Sequence, residues 1–257
     1  MVDVQNEKDS RGIKIQRTGV TRVHLPFLIL SGGEIQQVLA EIRFTVSLSE
    51  KIRGTHMSRL MEILTEWSAV PVGISDLEKI LADAIEKLGT DFAAIRLAFK
   101  YFVRRTAPVT GRASLLDVDC EFAGELSRGG RMNFALGLAV PFTSLCPCSK
   151  EISDYGAHNQ RSICRVKINF DSAENCDLEK IISLIEAQGS SKVFPVLKRE
   201  DEKFVTESAY ENPKFVEDIL RDVVLAVRSL DNVAGFAVEC ENFESIHNHN
   251  AFASHVE

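Results

Sequence analysis

The stretch VTRVHLPFLILSGGEIQQVLAEIRFTVSL, Val20 to Leu48, decides the fold class. Two extended runs rich in aliphatic and β-branched residues flank SGGE, whose glycines at 32 and 33 suit a tight turn, so the segment is expected to be a β-hairpin. Two helices should follow. Met57, Leu60, Met61 and Leu64 repeat at the spacing of one buried helical face. Next, Ser75 and Glu78 form a capping box, Leu77, Leu81, Ala84 and Leu88 make a stripe, and Gly89 ends the helix. Both apolar stripes read as core. FAAIRLAFKYFVRR, Phe92 to Arg105, then reads as a strand.

The second half repeats this order of elements without repeating its residues. Ala113 to Leu126 and Arg131 to Phe142 are strands around the turn SRGG, and Cys164, Val166, Ile168 and Phe170 alternate with polar residues as a half-buried strand does. One helix is expected from an Asp177 cap through Ile181, Ile182 and Ile185 to Gly189. Another is expected from Asn212, with Pro213 as its first residue, to about Leu230. A strand from Val233 to Phe243 and a polar tail close the chain. Adjacent strands with paired helices indicate an α+β fold with mainly antiparallel sheets. No low-complexity linker divides the halves, so one continuous unit is expected, with a boundary near Arg105 to Arg112: a flexible segment 1–18, a first module 19–108 and a second 109–257.

The 257 residues suffice to bury roughly three quarters of the unfolded surface, so core supply is not limiting. A hydrophobic fraction of 45% with 26% charged residues is that of a soluble globular protein, and no run approaches a membrane span. The start, MVDVQNEKDSRG, lacks the apolar stretch of a secretory signal, so a cytoplasmic location is expected, with the cysteines as thiols. A net charge of −7 argues against a general nucleic-acid surface but not against a small anionic substrate, which needs only a local pocket of cations. Of the six cysteines, Cys120, Cys164 and Cys240 lie in apolar stretches and read as small buried hydrophobes.

Cys146 and Cys148 differ from these. In TSLCPCSKEISDYGAHNQRS, Thr143 to Ser162, they share a polar segment with His158. Three soft or borderline donors suit a transition metal, yet the spacing matches no common structural zinc pattern; a redox or nucleophilic thiol and a merely structural segment are the other readings. ENFESIHNHN gathers Glu241, Glu244, His247 and His249 directly after an apolar strand, either as a solvated tail or as a site built at a strand end. LKREDEKFVTESAYENPKFVED, Leu197 to Asp218, reads by default as a solvated loop, whose Glu202 is available as a carboxylate ligand and whose Lys198, Arg199 and Lys203 suit phosphates. GTHMSR, Gly54 to Arg59, offers a polar helix start where backbone N–H groups favour anions.

Taken together, SLCPCSKEIS, GAHNQRS, DEKFVTE, YENPKFVED and ENFESIHNH, with GTHMSR and RRTAPVTG, resemble the type IB GTP cyclohydrolase I family over about Val20 to His249. The resemblance implies tandem tunnelling-fold modules, antiparallel sheets with pairs of antiparallel helices on one side, assembled as a homotetramer with sites at subunit interfaces. It implies conversion of GTP and water to 7,8-dihydroneopterin triphosphate and formate, the entry to folate-type pterins. It further implies one divalent ion per site (Mn2+, Zn2+ or Fe2+) held by Cys146, His158 and Glu202, and His247, then His249, as general acid. Glu244 would accept from guanine, Cys148 and Glu217 would be further site residues, and Lys198, Arg199 and Arg59 would meet the triphosphate. No nucleic-acid or membrane partner is expected. The competing readings are the related nitrile reductase of the same fold and a non-enzymatic thiol or metal redox module.

Overall fold

A computed structural model describes residues 4–171 and 176–257. The chain divides into two compact units. The described residues of the first fall within Met1–Lys100, Glu121–Ala135 and Phe170–Cys176, and the second comprises Tyr101–Cys120, Leu136–Asn169 and Asp177–Glu257. The division cuts through strands rather than at a loop near residues 105–112.

In the first unit the expected hairpin is present as β1 (Ile15–Ser31) and β2 (Glu34–Leu48), in antiparallel register from Ser31↔Glu34 to Ile15↔Leu48. Gly32 and Gly33 make the turn at φ 58° and 84°, the left-handed pair that a two-residue hairpin demands. The segment read as a flexible lead carries backbone bonds from Arg53 N to Glu7 O and from Gly54 N to Gln5 O, both 3.0 Å, and β1 begins four residues before Gly19. Helix α1 (Met57–Ser68) buries Leu60, Ile63 and Leu64. A two-residue strand, β3 (Pro71–Val72), pairs in parallel with β1. Helix α2 (Asp76–Leu88) buries Leu77, Ile80, Leu81, Ala84 and Ile85 and ends at Gly89, which is left-handed (φ 64°, ψ 31°). Its start departs from the expected capping box: Ser75 is already helical in its dihedrals and caps nothing, and the Asp76 carboxylate accepts from Gly73 N (2.9 Å) instead. The long strands β4 (Phe92–Thr106), β5 (Ala113–Ser127) and β6 (Asn133–Leu145) follow, and the strand order in this unit is β3-β1-β2-β4-β5-β6.

In the second unit the order is β4-β5-β6-β7-β9-β10. Pro147 opens a short helix, α3 (Pro147–Ile152), because proline suits the first helical position. Strand β7 (Asn159–Phe170) alternates as expected, and α4 (Leu178–Glu186) is capped by Asp177, which accepts from Lys180 N at 3.2 Å. A two-residue strand, β8 (Ser191–Lys192), pairs with the end of β6.

The segment expected as a solvated loop is instead a helix, α5 (Arg199–Glu211). Its composition is too polar for a helical stripe to show, and its buried anchors are Asp201 and Ala209. The next helix, α6 (Val216–Arg228), starts four residues later than Asn212, because Asn212 is the C-cap of α5 and Phe215 N donates to Asp218 (3.1 Å) to open the new turn. Its buried face includes Val216, Ile219, Val223 and Val227, each contributing about 1.5–3 kcal/mol of burial. Strand β9 (Val233–Asn242) is present, and the expected polar tail contains β10 (Ala251–Val256), antiparallel to β9 with Ala251 opposite Asn242. Among the described residues the fold is α+β, with six α-helices and ten strands that pair mainly antiparallel.

Candidate active site

The buried faces of β6, β7 and β9 end alike. On β6, Phe134, Leu136, Leu138, Val140 and Phe142 are buried, and the next position of the same face is Ser144. On β7 the face runs from Ile168, Val166 and Cys164 back to Ser162 and Gln160, and on β9 it runs from Phe236, Val238 and Cys240 to Asn242. Each apolar stripe therefore becomes polar where its strand meets the same end of the sheet. Just beyond those ends stand Cys146, the N-cap of α3, His158, ahead of β7, and the loop from β9 to β10 with Glu244, His247 and His249.

These groups share a cavity of about 330 Å³, within the range of small-molecule sites. Its lining includes Cys146, His158, Gln160, Lys214, Glu217, Asn242, Glu244, His247 and His249. Two segments fix its walls. Cys146 N donates to His158 O (3.1 Å), Ser149 Oγ accepts from His158 N (3.2 Å) and donates to Cys146 O (3.1 Å), so thiol and imidazole are set by one small backbone knot. The opposite wall is the turn into α6, held by Lys214 N donating to Leu145 O (3.0 Å) and Lys214 Nζ donating to Gln188 O (3.0 Å) and Asp222 (2.8 Å). The imidazole of His158 and the carboxylate of Glu244 are mostly covered, at 15% and 11% exposure, with Nδ1 and Oε2 3.9 Å apart. His247 and His249 are exposed and stack at 5.1 Å between ring centres.

The cavity thus assembles Cys146, His158, Glu217, Glu244, His247 and His249 from the residues singled out in the sequence. It does not include Cys148, exposed on α3, nor Glu202, Lys198 or Arg199. Glu202 stands on the first turn of α5, 57% exposed, 3.9 Å from Arg199, which is itself 98% exposed. Arg59 belongs to the first unit, where its guanidinium donates to Lys87 O (3.3 Å). Among the described residues, no three Cys, His, Asp or Glu side chains form a ready cation cage within this one chain. The donors present still fit a borderline cation. Cys146 supplies sulfur, and His158 has Nδ1 engaged by Gln160 Oε1 at 2.8 Å, the arrangement that leaves the other ring nitrogen for a ligand.

The residues that the sequence concealed are Gln160, Asn242 and Lys214, together with Ser144 and Ser162 behind them. For the strand residues, Gln160, Asn242, Ser144 and Ser162, the signal is a polar residue at a buried position of an alternating strand; Lys214, in the turn before α6, carries none. A larger cavity, about 620 Å³, opens elsewhere in the second unit beside Asp117, Asp119, Arg161 and Lys192. It is the weaker candidate, because its lining has neither imidazole nor thiol.

Asp201 serves the fold instead. Fully buried, it accepts from Val109 N, Thr110 N and Lys198 N (2.9 Å each) and from Thr110 Oγ1 (2.7 Å). Burial pushes its carboxyl up, but these donors, led by Thr110, outweigh it and hold the group well below the usual carboxylate range. It ties the PVTG turn to the start of α5.

Solved structures resemble the fold. Uricase from Arthrobacter globiformis superposes with a TM-score of 0.57 at 7% identity, over 94% of this chain and 92% of that one. Urate oxidase from Bacillus subtilis 168 gives 0.52 at 8%, over 94% and 98%. Relatives in sequence are nearer. The chain is 47% identical over 253 residues to GTP cyclohydrolase FolE2 of Citrifermentans bemidjiense, covering 98% of this chain and 93% of that protein. It is 45% identical over 255 residues to the protein of that name from Geobacter sulfurreducens, covering 99% and 97%. With the family model for type I GTP cyclohydrolase folE2 matching residues 1–253 as well, the chain belongs to that family.

Proposed function

We propose that this chain opens the guanine imidazole ring of GTP, converting GTP and water to 7,8-dihydroneopterin triphosphate and formate, as a type IB GTP cyclohydrolase at the start of folate-type pterin synthesis. The observation that carries the reading is the meeting, in one cavity, of a thiol, three imidazoles and two carboxylates drawn from four separate stretches, in a member of this family.

Ring opening needs water delivered to C8 with a proton delivered to N7 as it adds, a proton for N9 as the C8–N9 bond breaks, and a base held still. Glu244 suits the last of these, since its carboxylate matches the paired N1–H and 2-amino donors of guanine, and a purine without the amino group would leave that acceptor unsatisfied. His247 is the first choice to protonate N7 and His249 the second, because both stand exposed at the mouth and imidazole moves protons near neutral pH. Glu217, on the first turn of α6 at the cavity wall, would be a further site residue. Cys146 and His158 would hold a divalent cation, Mn2+, Zn2+ or Fe2+, with Glu202, which lies outside the cavity of one chain, as a third donor that a neighbouring copy in the proposed tetramer would have to supply. Bound there, such an ion supplies acidity to a water and polarises the purine. Cys148 would be a neighbouring thiol outside the ligand set. Lys198, Arg199 and Arg59 are assigned to the triphosphate as exposed cations, although none of them lines the cavity of one chain. The tandem tunnelling-fold description, a homotetramer with sites at subunit interfaces, and a cytoplasmic location belong to the same proposal.

The test is direct. Protein loaded with Mn2+, Zn2+ or Fe2+ is mixed with GTP, and formate and oxidised-pterin fluorescence are followed; no product with any ion refutes the reading. Cys146→Ala should lose both bound metal and activity. His247→Ala should keep its metal and lose about 100-fold or more in kcat, the usual worth of a general acid.

A further inference from the structure

Behind His158 lies a buried chain of side chains that accounts for the polar ends of the three strand faces. His158 Nδ1 stands 2.8 Å from Gln160 Oε1, and Gln160 Nε2 donates to Ser144 Oγ at 2.8 Å. The Ser144 and Ser162 hydroxyls are 3.0 Å apart, and Ser162 Oγ donates to Asn242 Oδ1 at 2.8 Å. Gln160, Ser144, Ser162 and Asn242 are 7%, 0%, 1% and 4% exposed, so water does not compete for these bonds. Each hydroxyl has one proton, and that restricts the chain to two directions. In one, Gln160 Oε1 accepts from Nδ1–H and the imidazole keeps its lone pair on Nε2. In the other, the amide donates to Nδ1 and the proton sits on Nε2, where it blocks a ligand.

One neighbour chooses between them. Glu244 Oε2 lies 3.9 Å from the same Nδ1, and a carboxylate at that distance favours a proton there and opposes a lone pair.

We propose that Gln160, backed by Ser144, Ser162 and Asn242, is a positioning residue that holds His158 as its Nδ1–H tautomer and so presents Nε2 to a divalent cation. The role toward the cation rests on the metal reading above; the tautomer does not. A buried network with all members bonded is rigid, and it allows the imidazole to bind without first exchanging its proton between nitrogens.

The experiment uses metal-free, full-length protein with 15N-labelled histidine in alkaline buffer, where long-range proton–nitrogen correlations distinguish the two tautomers. A parallel titration with Co2+ alone follows the absorbance of a thiolate–cobalt bond. His158 in the unsubstituted protein should show Nδ1–H. Gln160→Met should raise the Nε2–H population and weaken Co2+ binding about 10- to 100-fold, the cost usual for losing such a partner. Gln160→Glu should restore both, because the introduced carboxylate accepts from Nδ1–H and from Ser144 while the Asn242 amide reverses. An Nε2–H tautomer in the unsubstituted protein overturns the proposal, even if neither variant folds. So does a Gln160→Met protein with unchanged tautomer and unchanged Co2+ affinity. If the tautomer responds as expected but the unsubstituted protein takes up no Co2+, the metal reading fails and the cation role falls with it, leaving the tautomer assignment standing.

Discussion

Glu186→Gln should destabilise the second unit by several kcal/mol although it lies outside the cavity. Glu186 is fully buried at the end of α4, and Arg105, 7% exposed, meets it from β4 with Nε donating to Oε1 at 3.1 Å and a terminal nitrogen 3.0 Å from Oε2. That second contact is close but poorly aligned for a hydrogen bond, so much of the attraction is charge on charge. Lys192 Nζ, nearly half exposed, adds a third charge 3.2 Å from Oε2, worth at most about 1 kcal/mol. Removing one partner leaves a guanidinium out of water without its counter-charge, which costs about 3–5 kcal/mol. The amide can still accept from Nε, which puts Gln near the lower figure and Ala near the upper. At about 2–4 °C per kcal/mol for a chain of this size, the unfolding midpoint should fall by roughly 6–12 °C for Gln. The assay is urea unfolding at matched protein concentration for Arg105→Met, Glu186→Leu and the double variant. The singles should each lose several kcal/mol and the double far less than their sum, because an apolar pair leaves no buried charge. Additive losses, or a Glu186→Gln protein within about 1 kcal/mol of the original, would refute the reasoning. The site feels the same change, since the segment after Glu186 supports the end of β6 through Ser190 N to Thr143 O (2.8 Å) and Leu145 N to Ser190 Oγ (3.0 Å), immediately before Cys146.

Two further outcomes are expected. Because native donors depress the Asp201 carboxyl, the unfolded chain takes up its proton first. The stabilisation is therefore complete above the ordinary aspartate range, about pH 4, and is lost as pH falls through the lower native value. The stability gap between the original protein and Asp201→Asn should then be flat from neutral pH down to about 5 and narrow only below about 4; a gap that narrows near neutrality would contradict this. In undenatured protein a thiol reagent should modify exposed Cys148 fastest and leave Cys120, Cys164 and Cys240 untouched, as peptide mapping would show. The neighbouring Cys240 thiol, 3.5 Å away, and burial together push the Cys164 thiol up, which slows it further.

What the sequence revealed and what it hid have a common physical basis. The hairpin, α1, α2 and α4 were legible because apolar spacing, a glycine turn and an Asp cap report on local geometry. Helix α5 was not, since its stability comes from one buried carboxylate gathering donors from Val109 and Thr110, far away in sequence, and polar residues show no stripe. Strand β10 escaped for a related reason: its partner, β9, supplies the hydrogen bonds, and so short a run, with one Phe and one Val among small and polar residues, resembles a disordered tail until that edge exists. At the site, Cys146, His158 and Glu244 announce themselves as reactive types in short clusters. Their supporting residues do not, because serine, glutamine and asparagine are ordinary on a surface and informative only when burial is known. Yet the period-two rule already contained the clue. Extending the buried face of β7 from Ile168, Val166 and Cys164 by two more steps lands on Ser162 and Gln160, polar side chains at core positions. A protein carries such a cost where the polar groups act on something, so a stripe that turns polar at one end of three neighbouring strands points to the end that holds the chemistry.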